Sequence, residues 1–433
     1  MTSSSGVAPA RATKGRYGIL ALIATATMIN YLDRTLLSVA APLMSKDLDI
    51  GPAVMGLVLS AFSWTYALAQ LPGGALLDRF GTRLTYAVSL VLWSIFTGLQ
   101  GMAVNIAPLF GARLGMGAAE APCFPANSRI LVSWFPQRGR ARANSVYSIG
   151  MYFGIAFLSP LLFWVTAEFG WRHLFVGAGV IGVLFGLLWW RLYREPAESK
   201  WANQAELDEI AAGGGIDLAK SAKQPFSWAD IGWLLKQRQI VGASIGQFAT
   251  NSTLVFFLTW FPTYLVKERG MAFIKVGFFA SLPFIAATVG VILGGLLSDY
   301  LVKSGRSLTI ARKTPVVMGL LLSSLITAAA FVDSNTVVIA VMSIAFFGQG
   351  MSNLGWTLIS EVAPRRLIGV TGGLFNFCTN LAGIITPIVI GFVVAATGSF
   401  FGGLAFIGVM ALIGACSYIF VLGEVKRVGE VEA

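Results

Sequence analysis

Long apolar stretches alternate with short polar or glycine-rich breaks along all 433 residues of the chain. Each stretch has about twenty residues or more, the length that a helix needs to cross a hydrocarbon core of about 30 Å. The stretches are continuous, whereas the strands of a membrane barrel alternate apolar and polar positions. The pattern therefore predicts an all-α polytopic membrane protein. Twelve transmembrane helices are expected, at about 18–42, 52–77, 85–104, 107–132, 142–166, 172–192, 240–265, 272–298, 314–332, 335–360, 368–395 and 400–422.

One long polar segment, at 194–238, divides these helices into two groups of six. A short amphipathic helix around Ala205 to Ala212 is expected within it, docked on the cytoplasmic surface. The polar start of the chain lacks a signal-cleavage pattern and indicates a cytoplasmic tail. The predicted division is a tail at 1–17, a six-helix bundle at 18–193, a linker at 194–238, a second six-helix bundle at 239–423 and a tail at 424–433.

The two halves share a sequence pattern where the second helix of each half ends. GALLDRFGTR runs from Gly74 to Arg83, and GLLSDYLVKSGR runs from Gly295 to Arg306. Pseudo-symmetric halves are typical of alternating-access transporters. We interpret the repeat as a latch in which a glycine lets two helices approach, an aspartate meets a helix N-terminus and arginines bind acids. The simpler alternative is a positive turn that only fixes topology. The candidate gating residues are Gly74, Asp78, Arg79, Arg83 and Asp299.

Charge is scarce in this chain and unevenly distributed. Only 12% of the residues are charged and 56% are hydrophobic, yet the net charge is +11. With both termini in the cytoplasm, only five of the 31 basic residues fall outside, and the positive-inside rule explains the excess without nucleic acid. Those five are Lys46, Arg172, Lys267, Arg269 and Lys275.

The residues that catalysis or metal binding would need are nearly absent. The single histidine, His173, begins a span, and Cys123, Cys378 and Cys416 all lie in apolar spans. No phosphate-binding loop of the GxxxxGK[ST] type is present in the sequence. We therefore expect neither an enzyme nor an ATP-driven pump, and no cofactor or metal.

Four ionisable residues lie at bilayer depth: Asp33 and Arg34 in the first span, and Arg113 and Glu120 in the fourth. Such groups are expensive in a membrane and need a partner or a wet cavity. Arg113 and Glu120 are seven positions apart on one helix face and could nearly meet, since Pro122 and Pro125 are expected to bend the helix.

These charges suggest a division of roles. Asp33, Glu120 and Arg113 are candidates for proton coupling, because a buried carboxyl beside an arginine can load and release a proton. Arg34 stays charged and offers a planar fork for a substrate carboxylate. The alternatives are a static ion pair for Asp33, a static helix clamp for Arg113 and Glu120, and carbonyl capping for Arg34.

Several polar and aromatic side chains within the spans could bind the hydroxyls of a sugar-like ligand. Membrane amides also hold helices together, so each residue has this alternative role. The candidates are Tyr31, Tyr66, Gln247, Asn251, Ser252, Asn353, Trp356 and Asn376.

The repeated G-x-L-x-D-R-x-G-x-R pattern in a chain of two six-helix halves resembles the major facilitator superfamily. Several stretches resemble its anion:cation symporter family and the bacterial sugar-acid branch, namely NYLDR, SAFSWTYALAQLPGG, AEAPCFPANSR, TWFPTYL, ARKTP and GGLFNF. The resemblance implies a proton-coupled importer of hexonates, aldarates or hexuronates such as galactonate or glucarate. It also implies proton coupling at Asp33 and Glu120, and substrate contacts at Tyr31, Arg34, Tyr66, Gln247, Trp356 and Asn376.

Met151 and Gly355 depart from the pattern of the galactonate and glucarate branch, which leaves the identity of the sugar acid open. The expected protein is a monomer of the bacterial inner membrane that takes a sugar-acid anion and protons and binds no nucleic acid. The alternatives are an organic-anion exchanger, an importer of another carboxylate such as tartrate, a drug exporter and a nutrient-sensing receptor. Sodium coupling also stays open.

Overall fold

The regular secondary structure of the described residues is entirely helical. This computed structural model describes residues 12–214, 228–364 and 367–429. Every regular element in these ranges is a helix, and they contain no strand. The predicted all-α class and the twelve transmembrane helices are confirmed, and the helices form two bundles of six.

The first bundle contains six helical elements that make six crossings. The second element crosses twice, and the third and fourth together make one crossing. They are α1 (Gly15–Asp47), α2 (Pro52–Gln100), α3 (Ile106–Glu120), α4 (Cys123–Trp134), α5 (Gln137–Phe169) and α6 (Trp171–Leu192). The two crossings within α2 meet at Gly81, where φ is 75° and ψ is 167°. A positive φ costs glycine little because it has no Cβ, so this residue ends one crossing and starts the next.

The fourth crossing is broken, as the prolines predict. α3 ends at Glu120 and α4 begins at Cys123. Pro122 has no backbone N–H to donate and its ring crowds the preceding turn, so the helical hydrogen-bond ladder cannot run through it. The break places Glu120 at the last residue of α3.

The second bundle follows a connecting segment that contains α7 (Gln204–Ala212) and α8 (Trp228–Leu234). Its helices often end in a tighter or wider turn. They are α9 (Arg238–Thr259) with α10 (Phe261–Thr263) and a π-turn at Tyr264–Glu268, α11 (Phe273–Lys303), α12 (Leu308–Ser324) with a 3₁₀ turn at Leu325–Phe331, α13 (Asn335–Ser352) with α14 (Gly355–Val362), α15 (Ile368–Thr397), and α16 (Phe401–Cys416) with a π-turn at Ser417–Val421.

Length and composition alone identify most of these crossings. Nine helical segments within the described ranges are long and apolar enough to span a membrane. α1 is not among them, and it is the helix that carries Asp33 and Arg34. The fourth crossing also falls short, because its break leaves two short helices.

The two bundles touch near one membrane face. We call the face at which α1 begins and α6 ends the terminal face, and the other the opposite face. In the half towards the opposite face, α5 packs on α11 and α2 on α15. The approach is close: a Cβ on Gly277 would lie 2.8 Å from that of Phe163, and a Cβ on Gly391 would lie 2.7 Å from the carbonyl oxygen of Pro52.

Towards the terminal face the bundles separate. A Cβ added at Gly74, Gly295 or Gly373 would have no atom within 4 Å. The expectation that Gly74 brings two helices together is therefore wrong for this conformation, because the helices that it could join lie apart here. The molecule is open towards the terminal face and closed towards the opposite one.

The short helix predicted around Ala205 to Ala212 is confirmed as α7. It lies against the start of α1 at the terminal face, where the Glu206 carboxylate accepts hydrogen bonds from the backbone N–H groups of Gly15 and Arg16 at 2.9 and 3.1 Å. The Thr13 hydroxyl donates to the same carboxylate at 2.7 Å. Glu206 thus caps α1 from another element. The predicted boundaries stay predictions, and parts of both tails and of the linker lie outside the described residues.

Candidate functional site

Arg34 of α1 and Glu120 of α3 form an ion pair inside the first bundle. Arg34 Nε donates to Glu120 Oε1 at 2.7 Å, and Arg34 Nη2 contacts the same oxygen. The side chain of Glu120 is 0% exposed and that of Arg34 is 15% exposed. Solvent therefore reaches the guanidinium but not the carboxylate behind it. The helix that carries Arg34, α1, also contacts α9 and α10 of the second bundle.

Four aromatic rings surround the Arg34 guanidinium. Its central carbon lies 4.8 Å from the ring centroid of Tyr31, 4.7 Å from that of Phe62 and 4.8 Å from that of Tyr66. The ring of Phe124 is 6.0 Å away. The negative faces of aromatic rings attract a cation, and a guanidinium stacks on them well. We call this arrangement of Arg34 and its rings the arginine box.

Arg113 does not pair with Glu120, which corrects the expectation from their spacing. Its guanidinium lies 5.4 Å from the ring of Phe62, and its Nη2 donates to the carbonyl oxygen of Leu59 at 3.5 Å. The spacing places Arg113 and Glu120 on the same face of their helix, but the partner of Glu120 is Arg34 of the neighbouring helix. Arg113 is 3% exposed, so it adds positive charge inside the bundle without reaching solvent.

Asp33 points away from the arginine box. Trp93 in the second crossing of α2 donates its indole N–H to Asp33 Oδ2 at 3.0 Å, and Asp33 is 2% exposed. Adjacent helical residues diverge by about 100°, so Asp33 and Arg34 face different neighbours. The partner is an indole rather than a basic side chain, in contrast to the ion pair considered as an alternative.

The predicted amides of α9 behave differently from one another. Asn251 Nδ2 donates to the carbonyl oxygen of Thr379 at 2.8 Å and so joins α9 to α15. The Ser252 hydroxyl bonds within its own helix and is fully buried. Gln247 is 3% exposed, and its Oε1 forms no hydrogen bond. Asn251 therefore has the interhelical role here, whereas Gln247 keeps a free acceptor.

The other second-bundle candidates lie on α13 to α15. Trp356 is 40% exposed and packs edge-on against Phe375. Asn376 accepts a hydrogen bond from Asn380 one turn along α15 at 3.1 Å. Asn353 sits at the junction of α13 and α14, partly exposed. All three side chains are at least partly exposed.

Gly355, one of the two positions that depart from the family pattern, lies in close contact with polar side chains. A Cβ on Gly355 would come within 2.7 Å of the Tyr418 hydroxyl and would overlap Oε1 of Gln247. The glycine therefore leaves room for these two polar atoms. The Met151 side chain lies outside the described residues.

Two of the gating candidates, Asp78 and Asp299, form ion pairs within their own bundles. Asp78 pairs with Arg129 of α4 at 2.5 Å rather than with a helix N-terminus, which corrects that expectation. Arg83 donates to the carbonyl oxygen of Trp190 at 2.8 Å instead of binding an acid. Asp299 lies 3.7 Å from Arg312. Arg312 also pairs with Glu361. Arg79 lies beside the ring of Phe80.

Sequence reasoning missed several residues of the site, namely Asn30, Phe62, Trp93 and Phe124. Phe62 and Phe124 complete the arginine box, and Trp93 holds Asp33. Phenylalanine and tryptophan are common in apolar spans, so nothing in the pattern distinguished them. Asn30 was visible as a polar residue one turn before Arg34.

A charged contact also joins loops at the opposite face. Arg172 donates to Asp47 at 2.5 Å, and the Trp171 indole donates to the same oxygen at 3.2 Å. These hydrogen bonds, led by that from Arg172, lower the pKa of Asp47 below its ordinary value. The contact ties the end of α1 to the start of α6.

Known proteins resemble this chain over nearly its whole length. The Probable galactarate/D-glucarate transporter GudP of Escherichia coli (strain K12) is 43% identical over 428 residues, covering 96% of this chain and 95% of that protein. The D-galactonate transporter of Escherichia coli O6:H1 is 44% identical over 426 residues, covering 97% and 98%. The Hexuronate transporter of Bacillus subtilis (strain 168) is 32% identical, covering 94% of each chain.

The fold has a solved counterpart. The crystal structure of a bacterial homolog to the human lysosomal transporter Spinster, in an inward-facing and occupied conformation, has a TM-score of 0.73 at 18% sequence identity. It covers 94% of this chain and 96% of that one. The sequence model of the Major Facilitator Superfamily matches residues 23–387. The protein belongs to the Major Facilitator Superfamily.

Proposed function

We propose that the protein imports a sugar-acid anion together with protons by alternating access. The substrate class is that of hexonates, aldarates and hexuronates. Support for it comes from relatives at 43% and 44% identity that are named galactarate/D-glucarate and D-galactonate transporters. We further propose that the membrane is the bacterial inner membrane and that the terminal face is cytoplasmic, because basic residues concentrate there.

The observation that carries the proposal is the ion pair within the arginine box. Arg34 is the one member of the pair that solvent reaches, and its fork suits a carboxylate. In this conformation Glu120 already occupies that fork. A substrate carboxylate and an ionised Glu120 would compete for one cation, so both cannot bind it well at once.

Protonation of Glu120 resolves the competition. A neutral carboxyl holds the guanidinium less strongly, which frees Arg34 for the substrate carboxylate. The net charge around Arg34 is then the same as in the empty state, so each bound carboxylate brings a proton with it. When the substrate leaves, Glu120 loses its proton and pairs with Arg34 again. Asp33 serves as a second proton site, and Arg113 favours ionised Glu120 from nearby.

The remaining candidates have supporting roles. The substrate hydroxyls are bound from the second bundle by Gln247, Asn353 and Asn376, and Trp356 forms an apolar wall. Tyr31 and Tyr66 serve the same purpose from the first bundle while holding Arg34. Asn251 holds α9 against α15, and Ser252 bonds within α9. The ion pairs of Asp78 and Asp299, with Gly74, Arg79 and Arg83, act in closing the terminal face.

Transport by purified full-length protein in liposomes tests the proposal. Labelled D-galactonate, D-glucarate or galactarate should exchange in counterflow, and an acid exterior should drive accumulation that a protonophore abolishes. Glu120→Gln should keep counterflow and lose accumulation, because a permanently neutral group permits substrate binding but carries no proton. Undiminished uphill uptake by this variant would exclude Glu120 from coupling. Absence of counterflow with every sugar acid would overturn the substrate class.

A further inference from the structure

A line of buried polar groups lies behind Glu120, on the side away from the arginine box. Asn30 and Thr27 of α1 are each 2% exposed, and Asn127 of α4 is 1% exposed. Asn30 lies beside the Glu120 carboxylate. Asn127 Nδ2 donates to the Thr27 hydroxyl at 3.2 Å, and the Tyr86 hydroxyl lies beside the Asn127 amide. These residues run from Glu120 towards the terminal face inside the first bundle.

Several atoms along this line have no hydrogen-bond partner. They are both amide atoms of Asn30, Oδ1 of Asn127 and Oε2 of Glu120. Buried polar atoms are almost always bonded to protein or to ordered water. A buried water needs two to four polar partners, which these groups supply in neighbouring pairs. The unpaired atoms therefore indicate water sites between Glu120 and Asn127.

The line continues towards the terminal face at Thr82, one turn before Tyr86 in α2. Thr82 precedes Tyr86 by four residues and so shares its helix face. Tyr193 and Glu195, just beyond α6, lie beside Thr82. The Tyr193 hydroxyl and the indole N–H of Trp134 next to it form no hydrogen bond. The rings of Tyr86 and Tyr193 both stack on Trp189, at 4.0 and 4.9 Å, which holds this end in place.

Glu195 suits the end of a proton route. It lies in the connection after α6, partly exposed, near Arg129 and Glu198. Burial raises the pKa of the Glu195 carboxyl above its ordinary value. A carboxyl at this position can accept a proton from inside the bundle and release it to solvent at the terminal face.

The direct path from Glu120 to the space between the bundles is obstructed. Glu120 is fully buried, and the Arg34 guanidinium lies between it and solvent. Tyr31, Phe62 and Tyr66 surround that guanidinium. A proton leaving in this direction would have to pass a fixed positive charge, whereas the line behind Glu120 is neutral and polar.

We propose that the coupled proton leaves Glu120 through a water-filled route inside the first bundle, past Asn30, Thr27, Asn127 and Tyr86 to Glu195, separate from the path of the substrate. Glu120 gives its proton to a water on this line, and the ionised carboxylate then pairs with Arg34. A proton passes from water to the Glu195 carboxylate and from there to bulk water, so every proton lost at one group is gained at the next. The inference rests on the proton coupling proposed above.

Thr27→Val tests the route, because it removes one hydroxyl and keeps the side-chain shape. Asn127→Leu and Glu195→Gln break it at two further points. Substrate-coupled proton flux, followed with a pH dye in the liposomes, and pH-driven uptake should both fall by about tenfold or more, as expected for the loss of a proton relay. Counterflow should change less than about twofold, because the loaded carrier exchanges substrate without releasing its proton. Thr27→Ser should restore the flux.

Thr25→Val is the matched control, since the Thr25 hydroxyl bonds only within α1, to the carbonyl oxygen of Ala21, and lies away from the line. It should leave proton flux unchanged. If the wild type couples and the three variants couple equally well, or if their counterflow falls as much as their uptake, the route is wrong while the proposed function stands. If the wild type moves no protons with substrate, the proposed coupling fails and the route fails with it.

Discussion

A single guanidinium organises the candidate site at the scale of residues. Arg34 contacts the Glu120 carboxylate and lies within about 5 Å of three ring centroids. Removing one member of a buried ion pair leaves an uncompensated charge at a cost of about 3–5 kcal/mol. Lysine would keep the positive charge at this position, but it would lose the planar fork and the stacking on the rings.

Arg34→Lys should weaken substrate binding by about tenfold or more, because an ammonium offers no planar fork and stacks poorly on rings. The measurement is the dissociation constant for the transported sugar acid, by calorimetry or thermal shift on purified protein. Arg172→Lys, which alters an ion pair at the opposite face, is the matched control and should bind as the wild type does. Equal affinity in both variants would contradict the role of the fork.

At the scale of elements, a buried carboxylate of α7 helps to attach this helix to the first bundle. Glu206 is 0% exposed and accepts from two backbone N–H groups at the start of α1. The first N–H groups of a helix lack partners within it, and an anion there also meets the positive end of the helix dipole. This contact fixes the linker to the first bundle.

Glu206→Ala should lower the thermal unfolding midpoint of the protein, because two or three donors lose their acceptor at a cost of about 1–3 kcal/mol. Glu209→Ala is the control on the same helix. Glu209 also pairs with Arg16, at 2.8 Å, but its side chain is 50% exposed. Exposed pairs contribute about 0–1 kcal/mol, so this variant should change little. Equal shifts in both variants would show that capping by Glu206 is unimportant.

At the scale of the whole molecule, glycines mark where the bundles meet and where they part. Gly277 packs against Phe163 at the closed side, whereas Gly74 faces open space at the terminal side. Alternating access requires the closed and open sides to exchange. A methyl group added at either glycine should therefore bias the equilibrium between the two conformations, in opposite directions.

Gly277→Ala should favour the conformation that opens to the opposite face, because the added Cβ would lie 2.8 Å from that of Phe163. Gly74→Ala should leave the conformation described here undisturbed and disfavour the other one. Distances between spin labels at the ends of α2 and α15, measured in both variants, report the populations. The same direction of shift in both variants would contradict this account of the interface.

Much of the architecture was predictable because it depends on local composition. Apolar runs of sufficient length must be helices in lipid, and the break after Glu120 follows from Pro122. The costly charges Asp33, Arg34 and Glu120 were likewise recognisable, since few polar groups are tolerated at bilayer depth. The surface helix α7 could be placed from its mixed polarity.

Only the tertiary structure decided which groups meet. Periodicity fixes the face of a residue on its own helix, but it does not fix which neighbouring helix that face contacts. For this reason Glu120 pairs with Arg34 of α1 rather than Arg113, Asp33 meets Trp93, and two phenylalanines close the arginine box. The separation around Gly74 likewise reflects how two bundles of given sequence are arranged in one of their conformations, which no local pattern specifies.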